Sequence, residues 1–525
     1  YGAVYIWGVM IFLNAPELLI IPLHETLTDP ALRIMLPPVI LSLLTVLPQS
    51  ILSGFIFTSA VEVYKDSTKS ISERFGSVYF FNTAGAFIGP FLAAFVLIPN
   101  AGVVRSLMIV SLLSTAVSAY IGFKNKIWSG SFRLFSIIFS ISVAAALFLP
   151  QIKIMPPSFS MTEREILFYR ETVEATLVVG QEKDTGLKYT YFNNNSVIGS
   201  SYDAVKAVKL LGHLPFLVSK VPEKALIVGF GIGVTTSTVL QHPEVRSVIC
   251  VELAEELKEA AVLYSDLNND VVNDPRLKII GNDGRHFLQN SNEKYDLISS
   301  DPTHPVLGSG NLYSEEYFQL CYDHLTDEGM VTQYLPMHKL LFEDYAGIIK
   351  TFNTVFENTT VWLGHTHTIL VGTIKPLKID FADFSSKASQ IKDQYLYNDP
   401  YSLASFLILD SSSVAKMTGG AAVCHDDKSY LDFFKFDSFL PENWSINAQK
   451  LLEYIAPSGI IYNIGDQQKY ERFCISTKLV LQGLIRSMSG DLRGYLSKLY
   501  EAYQITPENQ EISFLIRLEN LKSGN

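Results

Sequence analysis

The stretch ALIVGFGIGVTTSTVL, residues 225–240, decides the fold. An apolar run of strand length enters three alternating glycines, Gly229, Gly231 and Gly233, and then a helix expected to begin near Thr235. Glycines there let the backbone turn tightly and approach a ligand, and a helix N-terminus adds a favourable dipole. Working outward, SVICVEL (247–253), LKIIGND (277–283), YDLISSD (295–301) and GMVTQYL (329–335) are short apolar runs separated by helix-length segments. That alternation predicts a parallel α/β sheet.

Ligands of such sheets bind at the carboxyl ends of the strands. The glycine loop, Glu252, Asp283 and Asp301 fall on four successive strand ends, so all are expected to line one crevice. Taken singly, each acid reads as a solvated loop residue or a helix N-cap. Glu252, about 20 residues after the glycines, is placed to accept the ribose hydroxyls of a nucleoside. No G-x-x-x-x-G-K-[ST] occurs, which argues against a nucleoside triphosphate. The acids instead fit an adenosine ligand, and Tyr313 and Tyr317 behind SSDPTHPVLGSGNLYSEEYF (299–318) suit a cationic sulfonium on it.

The rest of the chain is built differently. Its 525 residues are 48% hydrophobic, with mean hydropathy +0.21 and net charge -11. The apolar excess lies in residues 1–150, where stretches at 4–22, 33–63, 79–98, 103–123 and 132–150 suffice to cross a bilayer, which takes about 20 residues each. Pro37, Pro38 and Pro48 predict a kinked or tilted second span. The chain opens on Tyr1 inside an apolar stretch with no basic segment ahead of it, unlike a signal peptide, so five spans is a minimum. Lys65, Lys69 and Arg74 in one loop and Lys124, Lys126 and Arg133 around another place both in the cytoplasm. Five crossings would then carry residue 151 outside, in conflict with a cytosolic nucleoside ligand. A re-entrant fifth segment removes the conflict, as does a weak charge bias overruled by the domain that follows.

After the linker PPSFS (156–160), residues 160–200 alternate like strands and hairpins, with turns at Asp184–Gly186 and Asn193–Asn195, and a helix follows at about 202–217. Residues 379–525 read as mostly helical, and SGDLRGYLSKLYEAYQITPENQ (489–510) has the spacing of a single tetratricopeptide-like unit or of a plain helical hairpin. The domains are therefore expected at 1–150, 151–200, 201–378 and 379–525. No long Lys/Arg stripe occurs, so nucleic acid is not an expected partner. Cys250 and Cys321 read as reduced core thiols, and no His/Cys cluster has metal-ligand spacing; His365 and His367 lack a third ligand nearby.

VGFGIG, VEL, NDPRLKIIGNDGRHFL and SSDPTHP…GSGNLYSEEYFQLC resemble the spermidine synthase family over roughly 160–375. ERFGSVYFFNTAGAFIGPFLAAFVLIP (73–99) looks like the multi-pass module of the family's membrane-fused branch, and CHDDKSYLDFF (424–434) resembles the segment that ends its catalytic region. The resemblance implies a β-hairpin domain, a Rossmann-like methyltransferase-type domain, and transfer of an aminopropyl group from decarboxylated S-adenosylmethionine to an amine. It casts Gly229, Gly231 and Gly233 as the glycine loop, Glu252 as the ribose acid, Asp283 as the acid near adenine and Asp301 as the base. Tyr313 corresponds loosely to the residue after the gatekeeping loop. Asp426 and Asp427 either reach back to the cleft or cap a turn.

The departures from the family bear on the substrate. Ile232 stands where the loop usually carries an aspartate for the donor amine, and His304 replaces a second acid three residues after Asp301. Ala207 and Lys209 stand where a tyrosine and a glutamate grip the diamine, with His213 and Pro215 keeping the register. Each lost carboxylate removes a contact worth about 1.5–3 kcal/mol. The expected activity is thus transfer of an alkyl or methyl group from S-adenosylmethionine or its decarboxylated form, without a metal, to a small-molecule or lipid-borne acceptor that is not an ordinary diamine. His304 is either a second acid/base beside Asp301 or a loop cap. The expected setting is the inner (plasma) membrane, with the catalytic domain cytoplasmic, the lipid bilayer as one partner, a protein partner through the C-terminal helices, and self-association left open. The alternative is a retired catalytic domain serving as scaffold in a membrane assembly; a transporter is disfavoured by the near absence of charge within the spans.

Overall fold

The structure, a computed structural model, describes residues 2–64, 70–124, 130–147, 153, 155, 164–193, 195–219, 221–302, 304–306, 308–433, 435–456 and 458–522. The chain divides into two compact units, residues 1–186 with 190–196, and residues 187–189 with 197–525.

In the first unit, Ile6–Thr26, Ala31–Glu62, Ile71–Ala101 and Val103–Lys124 are helices long and apolar enough to cross a membrane, by length and composition. Pro37, Pro38 and Pro48 lie inside one continuous helix, Pro30–Val63. The third is longer than the sequence reading, because it starts at a capping box: the Ser70 hydroxyl accepts from Glu73 N, and the Glu73 carboxylate accepts from Ser70 N at 2.7 Å. Its outer face shows Phe80, Phe81 and Phe87. The fifth apolar stretch forms the helix Gly130–Ala146, 17 residues, with 125–129 and 148–150 on either side outside the described residues. Lys65, Lys69, Lys126 and the linker PPSFS lie outside the described residues.

Four strands follow, β1 (Arg164–Glu171), β2 (Thr176–Glu182), β3 (Lys188–Phe192) and β4 (Asn195–Gly199), in the order β1-β2-β3-β4. β1 and β2 pair antiparallel. Gly186 closes the expected turn at φ +70°, donating its N–H to the Glu182 carbonyl at 2.9 Å.

The second unit centres on an eight-stranded sheet built from β5 (Lys224–Val228), β6 (Ser247–Glu252), β7 (Leu277–Gly281), β8 (Tyr295–Ser300), β9 (Leu325–Pro336), β10 (Asn358–Gly364), β11 (His367–Thr373) and, past β12 (Ile379–Asp380), β13 (Leu407–Leu409). The order is β13-β10-β11-β9-β8-β5-β6-β7. From β9 to β7 the pairing is parallel, as the sequence predicts. β11 runs antiparallel to both β9 and β10, which the sequence reading missed. Leaving out β13, this is the Rossmann-like, methyltransferase-type arrangement: strand order reverses between β5 and β8, and one antiparallel strand is inserted near the far edge.

Helix Tyr202–Val218 is almost entirely buried, and its polar residues are matched by the C-terminal region of the same unit. Lys206 pairs with Glu511, and Lys209 Nζ lies 3.1 Å from Asp393 Oδ2. Beyond β14 (Ile461–Tyr462), which pairs with β12, come helices Gln467–Met488, Leu492–Ile505 and Gln510–Lys522. The first two form a hairpin, turned at Gly490 with φ +80°. A Cβ at Gly483 would lie 2.9 Å from the Tyr495 ring, so glycine sets how closely the two helices pack.

Candidate active site

The register places the candidate residues at one level. Val228 of β5 pairs with Val251 of β6 and Ser300 of β8, Glu252 with Gly281 of β7, and Ser300 with Gln333 of β9. The residues that follow therefore emerge together at the carboxyl edge, on both sides of the strand-order reversal. Gly229 sits at φ +93°, and a Cβ on it would lie 2.5 Å from the Asp301 carbonyl oxygen. No other residue fits that approach.

Glu252 is buried, and its carboxylate closes on the glycine loop. Oε2 accepts from Phe230 N at 2.8 Å and Gly231 N at 3.3 Å, while Oε1 accepts from Ala254 N at 3.0 Å. Burial pushes its pKa up, against the opposing pull of these N–H donors. Ile232 of the glycine loop is buried.

Asp283 is half-buried and caps helix Gly284–Gln289, accepting from His286 N at 2.8 Å. The cap and the crevice position are compatible. The next residue but one, Arg285, forms a two-pronged pair with Asp426, 2.7 Å on one arm, which ties the CHDDKSYLDFF segment to this helix. Asp426 is thus an anchor of the site's wall.

Asp301 follows β8. Its Oδ2 accepts from the Thr235 hydroxyl at 2.7 Å, in the first turn of helix Val234–Leu240. Burial raises its pKa to about 6; the Thr235 hydrogen bond opposes the rise and the Glu252 charge adds to it. A carboxylate poised near neutral pH is matched to taking a proton. Sequence reasoning had no signal for Thr235, since a hydroxyl at the start of a helix is common.

His304 is placed differently from an acid/base partner. Its Nε2 lies 2.6 Å from the His338 carbonyl and donates to it, and Nδ1 accepts from Val306 N at 3.4 Å. Both nitrogens are therefore used on the main chain, and burial holds the ring neutral with its pKa lowered to about 4. The contact with His338 ties the ring to the loop that follows β9. Tyr313 and Tyr317 are fully buried, with the Tyr313 hydroxyl donating to the Tyr334 carbonyl at 3.3 Å and the Tyr317 hydroxyl 3.1 Å from Ser300 Oγ. Tyr317 lies on the buried side of helix Glu315–Asp323, and Tyr313 ends the short turn Gly310–Leu312 before it. Lys209, ion-paired with Asp393, and Ala207, packed beneath Gly364, belong to the interior.

The sequence also left out a row of side chains at the end of β9 and just past it. Tyr334 lies beside the crevice with its hydroxyl 3.0 Å from His367 Nδ1, and His338 and Lys339 follow in the next loop. His365 sits in the tight turn joining β10 and β11 at φ +69°. Among the described residues no three His, Cys, Asp or Glu side chains converge as a metal site.

The spermine/spermidine synthase domain family matches residues 206–374. The polyamine aminopropyltransferase of Thermococcus kodakarensis is 32% identical over 203 residues, 36% of this chain and 69% of that one. The same-named protein of Thermococcus onnurineus is 32% identical over 197 residues, 36% of this chain and 68% of that one. The solved spermidine synthase from Thermotoga maritima has 23% identity and a TM-score of 0.43, covering 48% of this chain and 87% of that one.

Proposed function

The chain belongs to the spermine/spermidine synthase family, and from that premise we propose that it transfers an aminopropyl-type alkyl group from a sulfonium nucleoside to a nucleophilic acceptor, with Asp301 as the base. The observation that carries this reading is the Asp301 carboxylate, fixed by Thr235 against the glycine loop with its pKa raised to about 6.

The chemistry follows from that placement. The glycine loop and Glu252 hold the nucleoside so that the carbon attached to the sulfonium faces Asp301. An ammonium acceptor has no lone pair, so Asp301 must accept its proton as nitrogen attacks that carbon. The carbon–sulfur bond then breaks with its electrons passing to sulfur, leaving a neutral thioether nucleoside. Ile232 offers no charge to a donor amine, so S-adenosylmethionine and its decarboxylated form both remain candidate donors. The loss of acids at positions 209, 232 and 304, and of a tyrosine at 207, supports an acceptor other than an ordinary diamine.

We further propose that the first unit crosses the membrane four times. Four crossings put Lys65, Lys69, Arg74, Lys124, Lys126 and Arg133 on one face and leave Arg33 and Arg105 on the other. The positive-inside rule makes the first face cytoplasmic. This reading takes helix Gly130–Ala146 as not crossing, which keeps the catalytic unit on that face. Calorimetric titration of the full chain with S-adenosylmethionine and with its decarboxylated form tests the donor reading. Saturable binding of at least one is expected; no binding of either would remove it.

A further inference from the structure

Two loops leave neighbouring strands over the site. One runs from Asp301 to His304 after β8, and the other from Met337 to Leu340 after β9. The 2.6 Å bond from His304 to the His338 carbonyl staples them, with the two imidazole centroids 5.1 Å apart. The staple keeps His338 and Lys339 at the same sheet edge as Asp301.

Lys339 is held there at some cost. Its φ of +54° is left-handed, a conformation that disfavours a non-glycine residue. The side chain is half-buried, and among the described residues no carboxylate lies within ion-pair distance of its ammonium. Burial alone accounts for its lowered pKa, with no acid opposing it. Neither ring nitrogen of the half-buried His338 hydrogen-bonds to a described residue. The charged group that acts on the His338 ring is Lys339 itself, and no acid acts on either. A half-buried cation without a counter-ion and an imidazole with unused nitrogens together match an anion supplied from outside the chain.

We propose that Lys339 and His338 hold a substrate carboxylate on the loop that neighbours the one carrying the base Asp301. The assignment rests on the transfer reaction proposed above. Two sources share this chemistry: the α-carboxylate of S-adenosylmethionine, which the decarboxylated donor lacks, or a carboxylate on the acceptor. In either case the carboxylate is unchanged by the reaction. A polycationic acceptor brings the wrong sign of charge to this end of the cleft.

The test uses the full chain in detergent, as wild type, Lys339→Met and Lys339→Arg, each checked for an unchanged thermal transition. In the first arm both donors are titrated by calorimetry. In the second, release of methylthioadenosine from the decarboxylated donor is followed with 4-aminobutyrate or putrescine as acceptor. A donor carboxylate predicts that Lys339→Met weakens S-adenosylmethionine binding tenfold or more and leaves the decarboxylated donor unchanged. An acceptor carboxylate predicts turnover of 4-aminobutyrate with KM raised tenfold or more by Lys339→Met, and poor use of putrescine. Lys339→Arg should retain most of either effect. Donor binding indifferent to Lys339, together with no use of 4-aminobutyrate or a preference for putrescine, would overturn this assignment alone. Failure of wild type to bind either donor would overturn the transfer reading, and this assignment with it.

Discussion

The Thr235 hydroxyl and Asp301 Oδ2 lie 2.7 Å apart, joining the helix after the glycine loop to the end of the neighbouring strand. The bond crosses the point where the sheet's strand order reverses, and it stabilises the charged form of a carboxylate that burial otherwise drives toward protonation.

Catalysis should therefore depend on an ionised Asp301. In the free enzyme, kcat/KM is expected to fall as pH drops through about 6. Thr235→Val removes the hydrogen bond and should move that limb to higher pH, with a loss of about tenfold or more at pH 6, since a bond to a charged group is worth about 1.5–3 kcal/mol. A pH–rate profile of the two proteins decides; coincident limbs would show that another group sets the dependence.

The same raised pKa has a stability consequence, with a definite sign. Asp301 is protonated in both folded and unfolded chains below about pH 4, so it costs nothing there. Between pH 4 and 6 the unfolded chain ionises first, and above 6 the full cost of the buried charge is present. Asp301→Asn should thus stabilise the chain by on the order of 1–3 kcal/mol at pH 8 and by little near pH 4. Thermal melts at the two pH values read this directly.

The ion pair between Lys209 and Asp393 should behave as a structural unit. Burial pushes the Asp393 carboxyl up, but the His213 ring 3.7 Å away and the Lys209 charge outweigh it and hold its pKa near 2. Lys209→Met strands that carboxylate and should cost about 3–5 kcal/mol, while the double variant with Asp393→Asn should recover most of the loss. Denaturant unfolding of the single and double variants supplies the coupling.

Four crossings predict a labelling pattern. In a Cys474→Ser background, Ser70→Cys and Lys153→Cys should react from the cytoplasmic face, and Thr28→Cys and Asn100→Cys from the opposite one. Five crossings would move Lys153→Cys to the far side.

How far the sequence could be read follows from range. β5 to β9 and their loops are local patterns of apolar runs ending in glycines and acids, and the positions of Gly229, Glu252, Asp283 and Asp301 at one edge follow from that periodicity. The β10–β11 turn carries no Asn-Gly or Gly signal, because His365 and Thr366 make it, so the antiparallel insertion was hidden. The environments of Tyr313 and His304 depend on partners 21 and 34 residues away, and Lys209 meets an aspartate from the far C-terminal region. Burial of that kind is a property of the assembled unit, which is also why His338 and Lys339 gave no signal in isolation.

The central claim is tested most directly by incubating the purified full chain with decarboxylated S-adenosylmethionine and a panel of amine acceptors, and measuring methylthioadenosine release for wild type and Asp301→Asn. The account predicts acceptor-dependent release that falls by 10²-fold or more in a variant that still binds the donor, as expected for loss of a general base. Release that is equal in the two proteins would contradict it.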